Sequence, residues 1–480
     1  MGFYWNFRNI FHTTGKTIMF SSFTLLLPII LSLFLKEGFF VTNTYILIFL
    51  LTFIFGYLFF KFIKRENIFG LTFSQSLLIV FFIWLLYAIF SSLPFYFLSE
   101  LNFIDSFFES MSSLTTTGLS MYSTGVPILK SLIIWRSFLS WIGGLGIIVL
   151  AYLGISKNIS FSSRLFSAEG HERLRPSPSK TIINMWIIYL ILTILGVLFL
   201  YFAGMTLFDS FNYSMSAIST NGVQSNSLGL SIIGTPLIKL VLIIIMIFGA
   251  TSFILHYNFY KKKSFKIYFK DKQFISMILL ILISLFFVFL KLGKEYDLIT
   301  ILLNIISMIT CGGFTTFSTN QLLNSVPFVF GIFLLLMFIG GSTNSTTGGI
   351  KINRFIIFLK SIFWKIKQST LPNIAYFPRK YNNNIIENKE IRSIYFFILV
   401  YLFFIVIGIF VFTFNGYSIN SSTFEIISAQ SNVGLSIGLT NSFMPLSTKL
   451  MLIINMWIGR LEIIPVLSIL GLIFIKKHKH

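Results

Sequence analysis

Apolar residues in this chain come in long runs separated by short polar connectors. Thr17–Leu35, Tyr45–Phe62, Ser76–Phe97 and Phe396–Phe414 each reach the roughly 20 residues needed to span hydrocarbon. After two opening spans the same grammar recurs four times: a long apolar helix (M1), a shorter apolar segment, a Gly/Ser/Thr loop, and a second long helix (M2). The pattern predicts first helices over 73–97, 180–203, 274–292 and 391–414, and second helices over 128–154, 235–259, 327–362 and 446–475. The short segments, 104–115, 208–219, 299–310 and 422–431, reach only about halfway across at about 1.5 Å per residue. A half-helix followed by irregular backbone survives at membrane depth only where protein or water covers it, so these segments are predicted to be re-entrant pore helices. The expected fold is an all-α polytopic membrane protein. It has four M1–pore-helix–M2 repeats around one pseudo-fourfold pore, plus two extra N-terminal transmembrane helices, giving ten spans. Its expected units are the opening helices 1–68 and the pore repeats 69–160, 161–262, 263–372 and 373–480.

The repeats are visible residue by residue. Asp105-Ser106-Phe107 and Ser110-Met111-Ser112 recur 104 positions later as Asp209-Ser210-Phe211 and Ser214-Met215-Ser216. Internal similarity of this kind marks transport proteins built by duplication. The loops align as Ser112-x-x-Thr115-Thr116-Thr117-Gly118, Ser216-x-x-Ser219-Thr220-Asn221-Gly222, Ser307-x-x-Thr310-Cys311-Gly312-Gly313 and Ser428-x-x-Ser431-Asn432-Val433-Gly434. Each has a Ser six residues before its final glycine, a hydroxyl three before it, and an apolar residue after it. A dehydrated cation must exchange water for oxygen ligands, and inward-aimed carbonyls supply them. Glycine permits positive φ and close approach of four backbones to one axis. The C-terminal end of each pore helix adds about half a negative charge aimed at the site. The neighbours Thr117, Asn221, Gly312 and Val433 all differ, so the ring is expected to be asymmetric.

Charge sets orientation. Of 480 residues 11% are charged, against about 25% in soluble domains, and the net charge is +21. The basic residues sit in the connectors 61–66, 157–180, 261–272 and 351–392 and in the tail Lys476–His480. They therefore describe topology rather than nucleic-acid binding. The positive-inside rule puts those connectors and both termini in the cytoplasm and the glycine loops outside. No small-residue cleavage site follows the first apolar run, which is expected to be retained. The single cysteine, Cys311, excludes an intramolecular disulfide.

Below the loops, residues 340–349 hold four glycines and five Ser/Thr inside the apolar stretch 327–362. Each glycine costs about 1 kcal/mol in a helix relative to alanine. The stretch is expected to unwind into a gate comprising Gly340, Gly341, Ser342, Thr343, Ser345, Thr346, Gly348 and Gly349. Arg460 lies deep in the fourth M2 segment; its five donors suit it to hold carbonyls of that loop beside the ion path. A pairing with Glu462 is the alternative. Glu109 and Glu425 share one repeat position, nine before the glycine, either in an outer vestibule or bonded to loop backbone. Lys130, Lys239 and Lys449 begin three second helices and are read as snorkelling to the interface.

With these motifs in place the chain resembles the Trk/Ktr/HKT superfamily of K⁺ transporters, and within it the TrkH type. The resemblance runs through the four glycines and three further stretches: Trp135-Arg136-Ser137 with Trp141-Ile142-Gly143-Gly144-Leu145-Gly146; Gly340-Gly341-Ser342 with Ser345-Thr346-x-Gly348-Gly349-Ile350-Lys351; and Gly459-Arg460-Leu461-Glu462. It covers about residues 70–480, and the opening pair matches the N-terminal helices of TrkH, which KtrB lacks. The resemblance implies K⁺ uptake through a channel-like pore in a bacterial inner membrane, with K⁺ as the transported ion and no bound cofactor. It also implies a homodimer and a cytoplasmic nucleotide-binding regulatory subunit of the TrkA type. Glycine at Gly118 is the K⁺-associated choice, where plant relatives with serine favour Na⁺. The K⁺ ligands are then expected from Thr115, Thr116, Thr220, Asn221, Thr310, Cys311, Asn432 and Val433.

Rival classes fare worse. No metal set or Ser–His pairing accompanies the five histidines, His12, His171, His256, His478 and His480, which fall at or beyond span ends. A proton-coupled carrier needs intramembrane carboxylates in relay, and only Glu462 lies deep, while Glu109 and Glu425 keep H⁺-coupled K⁺ symport open as an alternative. Na⁺ or mixed conduction remains on the same scaffold. Gly340–Gly349 has no strand before it, so it is not a nucleotide loop; a nucleotide would act through a partner docked on the cytoplasmic connectors.

Overall fold

The structure, a computed structural model, describes residues 7–63, 73–123, 126–146, 178–223, 235–319, 321, 326–372, 378–381, 384–463 and 465–467. The expected basic connector 157–180 up to residue 177, the tail, His171, His478 and His480 lie outside them.

Among the described residues the regular structure is helical apart from a ladder of two-residue strands, Lys380–Tyr381 with Asn384–Ile385. The opening pair is α1 (Phe7–Ser21), continued by a 3₁₀ turn (Ser22–Leu25) into α2 (Leu26–Phe34), and α3 (Phe39–Phe62). Repeat 1 contributes α4 (Phe73–Leu98), α5 (Phe103–Leu114) and α6 (Lys130–Leu145). Repeat 2 contributes α7 (Pro178–Phe202), α8 (Leu207–Ile218), α9 (Pro236–Ala250) and α10 (Phe253–Lys262). Repeat 3 has α11 (Lys272–Leu292), α12 (Leu298–Ile309), α13 (Pro327–Ile339) and α14 (Ile352–Ser369), and repeat 4 has α15 (Asn388–Phe414), α16 (Ile419–Gln430) and α17 (Leu446–Arg460). The opening pair crosses closely because Gly15 and Gly56 meet, where any Cβ would strike the other helix's backbone. It docks on repeat 1 through Phe11–Phe82 and Phe55–Phe90 ring contacts and a Thr24–Tyr87 hydroxyl bond.

The four short helices are each 12 residues long. Each starts on a side-chain cap sixteen residues before its glycine: Asn102, Thr206, Asp297 and Ser418 accept from the N–H three residues on. Such a cap satisfies an amide that the helix itself cannot.

The second helices depart, among the described residues, from their expected ranges. Among the described residues six helices are long and apolar enough to cross a membrane, or seven if the bent pair counts as one. Residues 235–259 are not one helix: α9 and α10 meet at 96° at Thr251–Ser252. Helix α6 stops at Gly146 (φ 91°) and α17 stops before Glu462 (φ 55°). Their expected continuations, 147–154 and 468–475, lie outside the described residues. The stretch 327–362 unwinds between α13 and α14, as expected.

Adjacent repeats interlock where their second helices begin. Lys449 of repeat 4 donates to Asp105 at the start of the repeat 1 pore helix at 2.5 Å, both buried. Lys239 of repeat 2 donates to Thr300 of repeat 3 at 2.8 Å, and Lys130 of repeat 1 lies over the Phe208 ring of repeat 2. At the remaining seam Phe330 stacks on Phe424. Snorkelling therefore does not account for Lys449, which is buried against Asp105. Each M2 reaches the pore helix of the next repeat around the ring.

Candidate functional site

Each pore helix ends in the same hydrogen-bond pattern. The N–H of Thr116, Thr220, Cys311 and Asn432 donates to the carbonyl three residues back. The N–H of the next residue donates to the carbonyl of Ser112, Ser216, Ser307 or Ser428 at 2.7–2.9 Å. These are the two bonds of a Schellman motif, which demands a left-handed residue just past the cap. That residue is never glycine here: φ is 57° at Thr116, 56° at Thr220, 55° at Cys311 and 53° at Asn432. A non-glycine in this region stores about 1–3 kcal/mol, and such strain clusters at ligand clamps.

The pattern aims the carbonyls. In a trans peptide the N–H and C=O point opposite ways. With those N–H groups turned back onto the helix, the carbonyls of Thr115, Thr116, Ser219, Thr220, Thr310, Cys311, Ser431 and Asn432 point away from it. The Thr115 and Thr310 hydroxyls donate to the Met111 and Ile306 carbonyls of their own helices at 2.7 and 2.6 Å.

The glycines close the ring. Gly118, Gly222, Gly313 and Gly434 have φ of 93°, 75°, 66° and 80°. A Cβ on Gly118 would collide with the Asn221 carbonyl, on Gly222 with Gly313, on Gly313 with the Val433 carbonyl, and on Gly434 with the Thr117 carbonyl. The loops thus touch in the order 1, 2, 3, 4 and back to 1. The sixteen residues expected to form the filter are drawn together, all buried except for partial exposure at Gly118, Gly222 and Gly434.

In repeats 1, 3 and 4 the chain beyond the glycine is anchored from the pore helix. Glu109 accepts from the Ser120 hydroxyl at 2.6 Å and the Met121 N–H at 2.5 Å, and its other oxygen meets Arg136 at 3.1 Å. Glu425 accepts from Ser436, Ile437 and Thr440. Both carboxylates are buried, so the structure decides for the backbone anchor over the vestibule. Asn304 does the same in repeat 3, accepting from Thr315 at 2.7 Å and from the Thr316 N–H at 3.4 Å. Sequence reasoning missed Asn304 because it looked for a repeated carboxylate, whereas the shared feature is an acceptor.

Residues 340–349 lie buried directly under this ring. The Thr346 hydroxyl donates to the carbonyls of Ile218 and Gly249, both at 3.0 Å, and Ser342 N–H donates to Ala250. Thr343 is held by Gln273 at 2.9 Å. A Cβ on Gly348 would strike the Ser431 carbonyl. Arg460 bridges three elements: it donates to the Thr346 carbonyl at 2.5 Å and to the Gly143 and Gly144 carbonyls at 2.6 and 2.5 Å, and reaches Thr116 at 3.4 Å. Glu462 pairs with Arg354.

A half-length helix and a carbonyl-bearing loop, repeated four times about one closed ring of contacts among long apolar helices, belong to a multi-pass membrane protein. The family model described as TrkH, cation transport protein, matches residues 42–293 and 277–478. The chain belongs to the TrkH family of cation transport proteins. It is 31% identical to an uncharacterized cation transporter of Methanocaldococcus jannaschii, covering 98% of this chain and 96% of that one. It is 31% identical to the Trk system potassium uptake protein TrkG of Escherichia coli, covering 96% and 97%. Its fold superposes on the crystal structure of the potassium transporter TrkH from Vibrio parahaemolyticus with a TM-score of 0.86 at 26% identity, over 97% of this chain and 98% of that one.

Proposed function

We propose that this protein takes up K⁺ across a bacterial inner membrane through one pore per subunit, selected by the four glycine loops and gated by residues 340–349 with Arg460. The observation that carries the reading is the closed contact ring of Gly118, Gly222, Gly313 and Gly434 above a buried loop that Arg460 holds. Carbonyls turned away from four converging pore helices can replace the hydration shell of a large monovalent cation. The helix C-termini favour positive charge there. The relatives named potassium uptake proteins and the solved potassium transporter support the choice of K⁺.

Passage is downhill in this reading. Glu109 and Glu425 are bonded to loop backbone behind the ring and form no relay along it. The seated loop is the closed state, and Arg460 adds a positive charge under the ring. The four repeats span 69–160, 161–262, 263–372 and 373–480, with both termini cytoplasmic. The working form is a homodimer with a nucleotide-binding regulatory subunit of the TrkA type on the cytoplasmic connectors. Relatives named for the Trk system support that partner.

Expression in a bacterium lacking its own K⁺ uptake systems tests the assignment. Growth at low K⁺ with Rb⁺ uptake exceeding Na⁺ uptake is expected; failure to rescue growth, with Na⁺ uptake present, overturns it.

A further inference from the structure

The four left-handed residues need explaining. Their backbone does the work of the Schellman motif, which glycine performs without strain. Yet Thr116, Thr220, Cys311 and Asn432 all carry side chains, and all four are fully buried. Each of those side chains lies against the stretch below the ring or against Arg460, which holds it. Thr220 donates to the Thr346 hydroxyl at 3.3 Å. Thr116 accepts from Arg460, whose same nitrogen holds the Thr346 carbonyl. The Cys311 thiol lies in hydrogen-bonding reach of the Gly348 backbone. The Asn432 amide oxygen faces Gly348, 2.7 Å from where a Cβ on that glycine would stand, while its nitrogen donates to Thr117 and to Met456 at 2.9 Å.

We propose that Thr116, Thr220, Cys311 and Asn432 are positioning residues that tie the ion selectivity of the ring to the seating of residues 342–348. Each peptide that carries a ring carbonyl is then fixed from both sides, by the pore helix through its N–H and by the loop through its neighbour's side chain. Unseating the loop frees those peptides to turn, so an open pore discriminates less than a partly seated one. The inference rests on reading the ring as the filter and the stretch below it as the gate. It adds that the two are one mechanical unit. A gate that merely plugs the path needs none of these four side chains.

The test uses the full-length protein in proteoliposomes, with Rb⁺ and Na⁺ tracer influx measured side by side. Thr220→Val and Thr346→Val each remove a hydroxyl and keep the volume. Both are expected to raise total influx and to raise the Na⁺/Rb⁺ influx ratio by about three- to tenfold, the scale of one lost hydrogen bond. Thr220→Ser keeps the hydroxyl and is expected to keep the wild-type ratio, which a merely structural loss of packing would not restore. If Thr220→Val does not insert, Thr346→Val carries the same test from the loop side. Higher influx at an unchanged ratio overturns the coupling, as does no change in either. Gly118→Ala separates this failure from failure of the filter reading: if it too leaves the ratio at the wild-type value, the ring is not the filter.

Discussion

Repeats 1, 2 and 4 hold their second helices against the ring in one way, and repeat 3 in another. Gly143, Gly249 and Gly459 each lie where a Cβ would strike the last-turn carbonyl of their own pore helix, at Leu114, Ile218 and Gln430. Those three helices are clamped at van der Waals contact to the structure that aims the carbonyls. In repeat 3 the helix ends at Ile339, and Gly340 meets Gly348 of its own loop instead. The released chain is bonded to repeat 2 through Ile218, Gly249 and Ala250, and to repeat 4 through Arg460. One scaffold therefore clamps three second helices to the ring and releases a single segment beneath it, the part to which the proposed function gives control while the ring selects. The insertion is held almost wholly by hydrogen bonds, which can be exchanged for water, whereas the clamps are backbone contacts that cannot give.

The largest effect should come from breaking the clamped side. Gly434→Ala forces a Cβ into the Thr117 carbonyl at a left-handed residue, which alone costs about 1–3 kcal/mol. Rb⁺ uptake should be lost at normal membrane abundance; uptake near wild type would show that the ring is looser than described.

Next is the seam between the first and last repeats, which no short connector closes. Lys449→Met leaves Asp105 buried without its cation and should destabilise the purified protein by about 3–5 kcal/mol. The exposed Lys130 over Phe208 should matter far less, by about 0.5–1 kcal/mol for Lys130→Met. Thermal melts of the two variants in detergent compare the seams directly, and equal shifts would remove the distinction.

On the inserted side, Arg460→Gln removes charge-assisted hydrogen bonds to Thr346, Gly143 and Gly144 worth about 1.5–3 kcal/mol. Deleting residues 342–347 removes the obstruction itself. Both should raise Rb⁺ influx with the protein still in the membrane. Unchanged influx would mean that the loop does not limit flow.

The smallest effect belongs to the helix caps. Ser418→Ala should cost about 1 kcal/mol of stability and leave the uptake ratio alone. A changed Na⁺/Rb⁺ ratio would mean that pore-helix placement, not only loop geometry, sets selection.

Much of this was legible in the sequence because it repeats. The pore helices fall within three residues of their expected bounds, since four matched apolar stretches of half-span length admit few readings. The unwound stretch announced itself through four glycines at 340–349. The elbow after Ala250 did not: 235–259 reads as one apolar helix, and the carbonyls of Gly249 and Ala250 that the helix would leave at its end accept from Thr346 and Ser342 of repeat 3. The left-handed residues were hidden for the opposite reason. Threonine and cysteine carry no mark of positive φ, asparagine tolerates it only somewhat better, and the conformation comes from Schellman bonds closed in the folded chain. Lys449 read as a surface anchor because its partner, Asp105, lies 344 residues away.

The central claim is that the ring of four glycine loops selects the ion. The most direct test is the Rb⁺ to Na⁺ influx ratio in proteoliposomes holding the wild-type protein, beside those holding Gly118→Ala. The ring account predicts Rb⁺ influx well above Na⁺ influx for the wild type, and a collapsed ratio for the variant. Equal Rb⁺ and Na⁺ influx in the wild type, or a ratio untouched by the substitution, would contradict it.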